Sequence, residues 1–533
     1  MSKITLHPGT PIKIAILAMG GQGGGVLADW IVEMAENAGW WAQTTSVPGV
    51  AQRTGATIYY LELLPEAAAQ AAGRPPTLAM MPTPGDVDLV VAAELMEAGR
   101  AMQRGLVSPD RSTLITSSHR SYAVGEKAAL GNGIADPNKV IDAGREAAKR
   151  LMCFDLQAMA ERAGSVISAS LFGAIAGSGA LPFERAAFEH TIRRGGKGAE
   201  ASLAAFALGF EAAAAAPAAP APVDTARPAP EVPARAASPE AEPLLQRVKS
   251  DFPPVAQGML VAGLRRLIDY QDLDYAREYL DTCAKFHALD ATHGGEASSW
   301  ALTRAIAHRL AVAMSYDDVI RVADLKTRGS RFERVRTEVG AKADQLVYTT
   351  EYMHPRLEEI CGTLPTRLGQ WLLQSSSIGG FVKRHMEKGR RVQTGTLRWF
   401  IALYLVAGMR RFRRKLLRHQ IETGQLQAWL ARSTRLASTG DYALAVEVLH
   451  CRRIVKGYSG THDRGDQRFS SLMEAAERLA GRTDAAEHLR GLLTAAMADE
   501  EGRQLRTRLG TLREMGIDMK IAPAEHGVAS SLA

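Results

Sequence analysis

Cysteine is scarce. The chain has four in 533 residues, Cys153, Cys283, Cys361 and Cys451, and none stands close enough to another to form a C-x-x-C pair. That spacing excludes a disulfide framework and any local zinc or iron–sulfur motif, so a redox cluster would have to sit on another chain. Aromatic residues make up only 6%, and few are interleaved with basic ones, which counts against a nucleic-acid surface built on base stacking. No apolar run reaches the roughly 18 residues that a membrane span requires. The opening MSKITLHPGTPIK lacks the basic, apolar and small-residue succession of a secretory signal. The expectation is a cytoplasmic protein with neither membrane nor nucleic acid as partner.

What is present fits an ordinary globular chain, 46% hydrophobic and 23% charged, long enough to bury two or three separate cores. The formal charge of +7 is unevenly spread. Residues 1–212 carry 18 Lys+Arg against 20 Asp+Glu, residues 213–243 carry 2 against 4, and residues 244–533 carry 44 against 33. The C-terminal half is therefore the basic one, suited to acidic partners or phosphate groups. A boundary lies between these halves, in AAAAAPAAPAPVDTARPAPEVPARAASPEAEP, where Ala and Pro dominate and apolar periodicity is lost. Proline favours extended backbone, so residues 213–243 read as a semi-rigid connector rather than a swinging arm.

Before the connector, strand and helix patterns alternate. Residues 12–19 (IKIAILAM) form an apolar strand, a glycine-rich turn follows, and a helix runs from about Val26 to Ala38. Strands are predicted at Trp41–Ser46, Ala56–Leu63, Val87–Ala93 and Ser112–Thr116, with a helix at Glu94–Arg104. Helical patterns carry the chain from Asn138 to Ala213, interrupted near Met152 and Leu181. The fold class predicted is an α/β N-terminal domain, doubly wound with a mostly parallel sheet, joined by the Ala/Pro linker to an all-α C-terminal domain. After the linker, i, i+3, i+4 apolar spacing persists in VAQGMLVAGLRRLIDY, SSWALTRAIAHRLAVAM and TLRWFIALYLVAGMRRF, without a fixed-period repeat.

Two motifs in the first domain carry chemistry. The turn A-M-G-G-Q-G-G-G-V-L, residues 18–27, joins the first strand to the first helix. Its Gly20, Gly21, Gln22, Gly23, Gly24 and Gly25 would cradle phosphate or pyrophosphate on the free amides of the helix start, or form a tight turn with no ligand. Set against the dinucleotide fingerprint G-x-G-x-x-G, Ala18 replaces the first glycine. The end of the second strand, TTSVPG, offers no acidic residue for a ribose hydroxyl, which argues against an independent NAD(P)-linked oxidoreductase. No Lys-Ser or Lys-Thr follows to make a P-loop. The second motif, S-V-P-G-V-A-Q-R-T-G-A at residues 46–56, should lie beside that turn at the carboxyl ends of the strands. There Gln52 and Arg53 would bind an anionic or carbonyl group, with Ser46, Pro48, Gly49 and Gly55 shaping the bend, or Arg53 would pair with a carboxylate of a partner.

These motifs in this order, followed by A-E-L-M-E-A-G-R at 93–100, a small-residue helix at Leu171–Gly179 leading to L-P-F, and E-A-S-L-A-A-F-A-L-G-F at 200–210, resemble the gamma domain of the 2-oxoacid:ferredoxin oxidoreductases. The resemblance covers about the first 212 residues. It departs at Ala18, where relatives usually have glycine, and at Thr54. The C-terminal half, through YDDVIRVADLK (316–326), LRWFIALYLVA (397–407) and VKGYSGTHDRG (455–465), looks like the helical extension of the longer indolepyruvate enzymes. The resemblance implies an accessory (beta) subunit with no catalytic residue of its own. Family members use thiamine diphosphate to decarboxylate a 2-oxoacid, pass electrons through [4Fe-4S] clusters to ferredoxin, and release an acyl-CoA. This chain has no G-D-G followed by an N-N magnesium site, so thiamine diphosphate, Mg and the clusters are expected on a large catalytic (alpha) subunit. A coenzyme A contact at residues 20–25 and a symmetric heterotetramer or larger assembly are also implied.

Three further features stand outside these motifs. The basic run MRRFRRKLLRH, residues 409–419, would suit a membrane surface, nucleic acid or an acidic carrier, or serve as the basic face of a core helix. His293 and His462 fall in polar, glycine-containing segments that read as turns, without a second ligand at metal spacing.

Overall fold

The strand IKIAILAM becomes the central strand of the N-terminal sheet because both of its faces are apolar and both are covered. In the computed structural model, which describes residues 9–48, 56–131, 133–196, 198–215, 230–342, 344–353, 356–375, 390–457 and 460–517, the chain divides into two units, Met1–Arg227 and Pro228–Ala533.

In the first unit the order is β1 (Ile12–Met19), α1 (Gly24–Asn37), β2 (Trp40–Val47), β3 (Ala56–Pro65), α2 (Glu66–Ala72), β4 (Leu89–Ala92), α3 (Leu95–Gln103), β5 (Thr113–Ser117), α4 (Val124–Ala128), α5 (Pro137–Ala147), β6 (Arg150–Phe154), α6 (Leu156–Arg162), α7 (Ile167–Ser178), α8 (Arg185–Arg194) and α9 (Ala199–Ala214). The strands line up as β2-β3-β1-β4-β5-β6. Pairs β1–β4, β4–β5 and β5–β6 are parallel, whereas β3 runs antiparallel to both β1 and β2. The parallel strands need helical crossovers, which α3 and α5 supply. The link from β2 to β3 is too short for one and returns antiparallel. The stretch around Met152, predicted as a break between helices, is a sixth strand: the five residues RLMCF are enough to extend the sheet beside β5.

Helices cover both faces. Ile14 and Ile16 pack with Leu27 and Ile31 of α1 and with Phe172, Phe188 and Phe206. Ala15, Leu17 and Val90 pack with Ala98 and Ala101 of α3 on the opposite face. The small residues of α7 leave it almost wholly buried and close against α9. A Cβ on Gly173 would stand 2.0 Å from the Phe206 carbonyl oxygen, and one on Gly177 would stand 2.4 Å from that of Phe210.

The second unit is helical: α10 (Glu242–Asp251), α11 (Pro254–Tyr270), α12 (Leu273–His293), α13 (Ala301–Met314), α14 (Val319–Thr327), α15 (Gly329–Glu338), α16 (Leu357–Gly362), α17 (Thr366–Gln374), α18 (Leu397–Gly408), α19 (Leu417–Ser438), α20 (Tyr442–Cys451), α21 (Gly460–Leu479), α22 (Ala485–Ala496) and α23 (Arg503–Glu514). To these it adds a two-stranded antiparallel ribbon, β7 (Thr350–Met353) with β8 (Arg390–Gln393). One apolar core runs through α10–α13 and α19–α23.

The Ala/Pro stretch is not loose along its whole described length. Val232 and Ala236 pack on this core, the Pro230 carbonyl lies against Gly258, and Glu242 accepts the Ala236 amide at 2.7 Å. The basic run is partly internal as well, with Arg411, Arg414 and Lys415 exposed and Arg410 and Arg413 turned inward. Residues 409–415 form a 3-10 turn. In it Arg410 donates to the carbonyls of Ile268 and Gln271, each at 2.9 Å. Arg413, only 2% exposed, is held by Asp318 at 2.8 Å and by the Tyr270 carbonyl at 2.8 Å. No helix among the described residues is long and apolar enough to cross a membrane.

Candidate functional site at the carboxyl ends of the strands

The chain leaves β1 toward β2 and β3 on one side and reaches β4, β5 and β6 on the other, so a switch point lies beside the carboxyl end of β1. Open α/β sheets take ligands at such a point. The glycine turn follows β1 directly, and the ladder Leu17↔Ala92↔Thr116↔Cys153 brings the segments after β4, β5 and β6 to the same edge.

Within the turn the residues divide by task. Gln22 clasps the strand end: its amide donates to the Met19 carbonyl at 3.1 Å, and its Oε1 accepts the Met19 amide at 2.8 Å. Gly23 is left-handed (φ 69°), and a Cβ there would meet Ser168 Oγ at 2.9 Å. Gly24 lets Ala18 and Tyr59 close on the helix start, since its Cβ would be 2.6 Å from both side chains. Ala18 is therefore accommodated by the missing side chain at Gly24. Gly25 lies over the Tyr59 ring, 3.6 Å from where its own Cβ would be. Gly20 and Gly21, both exposed, have no atom within 4 Å of such a position. The open half of the turn is thus Gly20–Gly21, before the amino end of α1, whose first turn holds no acidic residue to compete with an anion.

Of the second motif, Ser46 and Pro48 are described and exposed. The pairings Met19↔Ala56 and Val47↔Ile58 put both ends of the 48–55 segment beside the glycine turn. Gly49, Gln52, Arg53 and Gly55 lie outside the described residues. The end of β2 presents Ser46 and Val47 and no carboxylate.

The structure adds groups that sequence reasoning passed over. Glu94 follows β4, is 1% exposed, and accepts the amides of Glu97 at 2.9 Å and Ser121 at 3.3 Å. Burial raises its carboxyl above the usual range despite those amides. His119 follows β5, with Nδ1 2.8 Å from Ser117 Oγ, and burial holds its imidazole below the ordinary value, hence neutral at pH 7. Ser168, fully buried against Gly23, has a hydroxyl without a hydrogen-bond partner among the described residues. Glu94 was within reach of the sequence, since it is the first polar residue after a predicted strand. Ser168 was not, because its approach to Gly23 spans about 145 residues of chain.

The four cysteines do not fit a metal cluster. Each is buried in apolar packing, and burial pushes the Cys153 thiol up to about 11 and the Cys283, Cys361 and Cys451 thiols above their ordinary value. Among the described residues no group of three His, Cys, Asp or Glu side chains converges on a metal position. The two histidines predicted in turns are both helical. His293 ends α12, exposed. His462 lies in the first turn of α21, buried, with Nε2 3.2 Å from Glu422 Oε1.

Residues 13–212 match a family model described as pyruvate ferredoxin/flavodoxin oxidoreductase, and residues 256–475 match one described as a family of unknown function (DUF6537). No curated protein matches the chain. Similar solved structures include the pyruvate oxidoreductase subunit PORC of Thermotoga maritima, at 17% identity over 38% of this chain and 96% of that one, TM-score 0.27. Another is the gamma subunit of a keto/oxoacid ferredoxin oxidoreductase of Geobacter sulfurreducens, at 17% identity over 38% and 99%, TM-score 0.26. A third is the 2-oxoglutarate:ferredoxin oxidoreductase of Magnetococcus marinus, solved with 2-oxoglutarate, coenzyme A and succinyl-CoA bound, at 14% identity over 40% of this chain and 32% of that chain, TM-score 0.28. The N-terminal domain is thus similar to the oxoacid:ferredoxin oxidoreductase family.

Proposed function

We propose that this chain is the accessory subunit of an indolepyruvate-type, arylpyruvate:ferredoxin oxidoreductase. The assembly would convert an arylpyruvate, coenzyme A and two oxidised ferredoxins to an arylacetyl-CoA, carbon dioxide, a proton and two reduced ferredoxins. The observation that carries the reading is the glycine turn, open at Gly20 and Gly21 and set at the switch point, within a stretch that matches the oxidoreductase family model from residue 13 to 212. The preference for arylpyruvates rests on the helical extension alone.

Thiamine diphosphate, with its magnesium, would supply the decarboxylation and the iron–sulfur clusters the electron path, both from a large catalytic subunit. The separated, buried cysteines of this chain are unsuited to cluster ligation. Its own contribution is binding. The amides at the start of α1 and the open Gly20–Gly21 backbone would receive phosphates of coenzyme A, with Ser46 and Pro48 on the rim. A partner is also supported by the apolar helix α18, which buries none of its residues and exposes Leu397, Ile401, Tyr404 and Leu405 at helical spacing.

The test is affinity purification of the chain at native expression level, followed by an optical spectrum and assays with arylpyruvates. Co-purification of a large, brown, thiamine-containing chain is expected, and a Gly20→Val complex should show a coenzyme A KM raised about tenfold. A colourless, partnerless protein would overturn the subunit reading, and an unchanged KM would overturn the role of the turn. Gly20 is the position to alter, because a side chain at Gly23 would strain the turn whatever it binds.

A further inference from the structure

We propose that a cleft in the C-terminal unit, between α14, β7, α16 and the start of α19, is a binding site for a free amino acid with an apolar side chain. The cleft has a volume of about 410 Å³, within the range of small-molecule sites. Val319, Ile320, Met353 and Leu416 give it an apolar wall.

Its ionisable lining is balanced. Asp317, Asp318 and Glu359 stand against Lys326, Arg413 and Arg418. These groups are not equally available, however. Arg413 is locked onto Asp318 at 2.8 Å, and Lys326 is ion-paired with Glu351. Neither is left over for a phosphate, so the site does not suit a nucleotide. His419 also lines the cleft, with Nδ1 3.1 Å from the Tyr316 hydroxyl. Burial holds its imidazole below the ordinary value, and it adds no fourth cation at pH 7.

Two buried atoms remain without a hydrogen-bond partner among the described residues: Glu359 Oε1 and Arg418 Nε. The rest of each side chain is engaged, since Glu359 Oε2 accepts the Arg356 amide at 3.1 Å and Arg418 Nη2 meets Glu422 at 2.6 Å. Both residues are held in place. The Leu417 amide donates to the Leu364 carbonyl at 3.0 Å, and the missing side chain of Gly362 admits Arg418, whose Cβ would be 3.2 Å from a Cβ there. Buried donors and acceptors in native proteins are ordinarily satisfied. Glu359 and Arg418 both line the cleft, and one lone acceptor and one lone donor on these two residues match an ammonium and a carboxylate together. A ligand with a single charge would complete only one of them, and the apolar wall calls for an apolar side chain between them.

The inference concerns the second unit alone, and its test needs only this chain, so it stands or falls apart from the subunit reading. Isothermal titration of the full chain with L-leucine, L-phenylalanine and L-tryptophan should give saturable binding, one per chain, for at least one of them. 2-Phenylethylamine and 3-phenylpropanoate, each lacking one charge, should bind at least tenfold more weakly than the amino acid. Glu359→Gln and Arg418→Lys should each weaken amino-acid binding about tenfold, since the lysine keeps the charge toward Glu422 but has no Nε–H in that position. Absence of saturable binding by all three amino acids would overturn the proposal, as would equal binding of the singly charged analogues or variants with unchanged affinity. The ligand comparison uses the unaltered chain, so a variant that fails to fold does not obscure the result.

Discussion

Glu422 shows how a single residue ties several elements together. It is 3% exposed and meets Arg418 at 2.6 Å, Arg452 at 3.1 Å and His462 at 3.2 Å. Burial alone would raise its pKa, yet His462, Arg418 and Arg452 together hold it below the ordinary glutamate value. A depressed folded-state pKa contributes stability above the unfolded value, near 4.3, and loses it as pH falls through the folded value. The urea midpoint of the C-terminal unit should therefore drop as the pH falls below about 4.3. Glu422→Gln should cost about 3 kcal/mol at pH 7, because Arg452 is left buried without its charge partner, and should flatten that acid loss. Parallel acid profiles of the two proteins would sink this assignment. None of this was legible beforehand. His462 read as a turn residue because its glycine neighbours dominate the local signal, and its partner Glu422 lies 40 residues away on α19. The glycine turn, in contrast, was legible as a turn between β1 and α1, since five glycines within six residues mark it locally, although the approach of Ser168 to Gly23 was not.

At the scale of elements, the α7–α9 contact sets two effects against each other. Gly173→Ala gains about 1 kcal/mol of helix propensity, but its methyl would lie 2.0 Å from the Phe206 carbonyl oxygen. Backbone cannot yield as a flexible side chain does, and overpacking of this kind costs about 1–3 kcal/mol or more. The variant should lower the melting temperature of the N-terminal unit by several degrees. Gly424→Ala, on α19 with nothing within 4 Å, should raise that of the C-terminal unit slightly. Circular dichroism melts decide it, and stabilisation by both changes would show that α7 and α9 do not pack this closely. Most strands and helices of the first unit were readable because their apolar periods are long or their caps are marked, but the short helices α2 and α4 were not read. Strand β6 was missed because five residues flanked by helices carry too little alternation to register. The 3-10 turn at 409–415 was read as a helix face, since sequence does not reveal that Arg410 and Arg413 are drawn inward by distant carbonyls and by Asp318.

For the whole molecule, the two units predict two independent folding events. Each has its own apolar core, and the residues from Pro230 onward pack with the second unit. Fragments 1–227 and 228–533 should each be soluble and melt cooperatively, and the full chain should show two calorimetric transitions. An insoluble fragment, or one merged transition, would mean that the cores depend on one another.

The exposed apolar side of α18 bears on how the protein must be handled. An apolar stripe that meets solvent on an isolated chain is a sticky surface wherever the chain outnumbers what covers it. Production in excess should lead to concentration-dependent self-association, while balanced co-synthesis with a binding partner should keep it dispersed. The cell would then have reason to keep the amounts of the two chains matched.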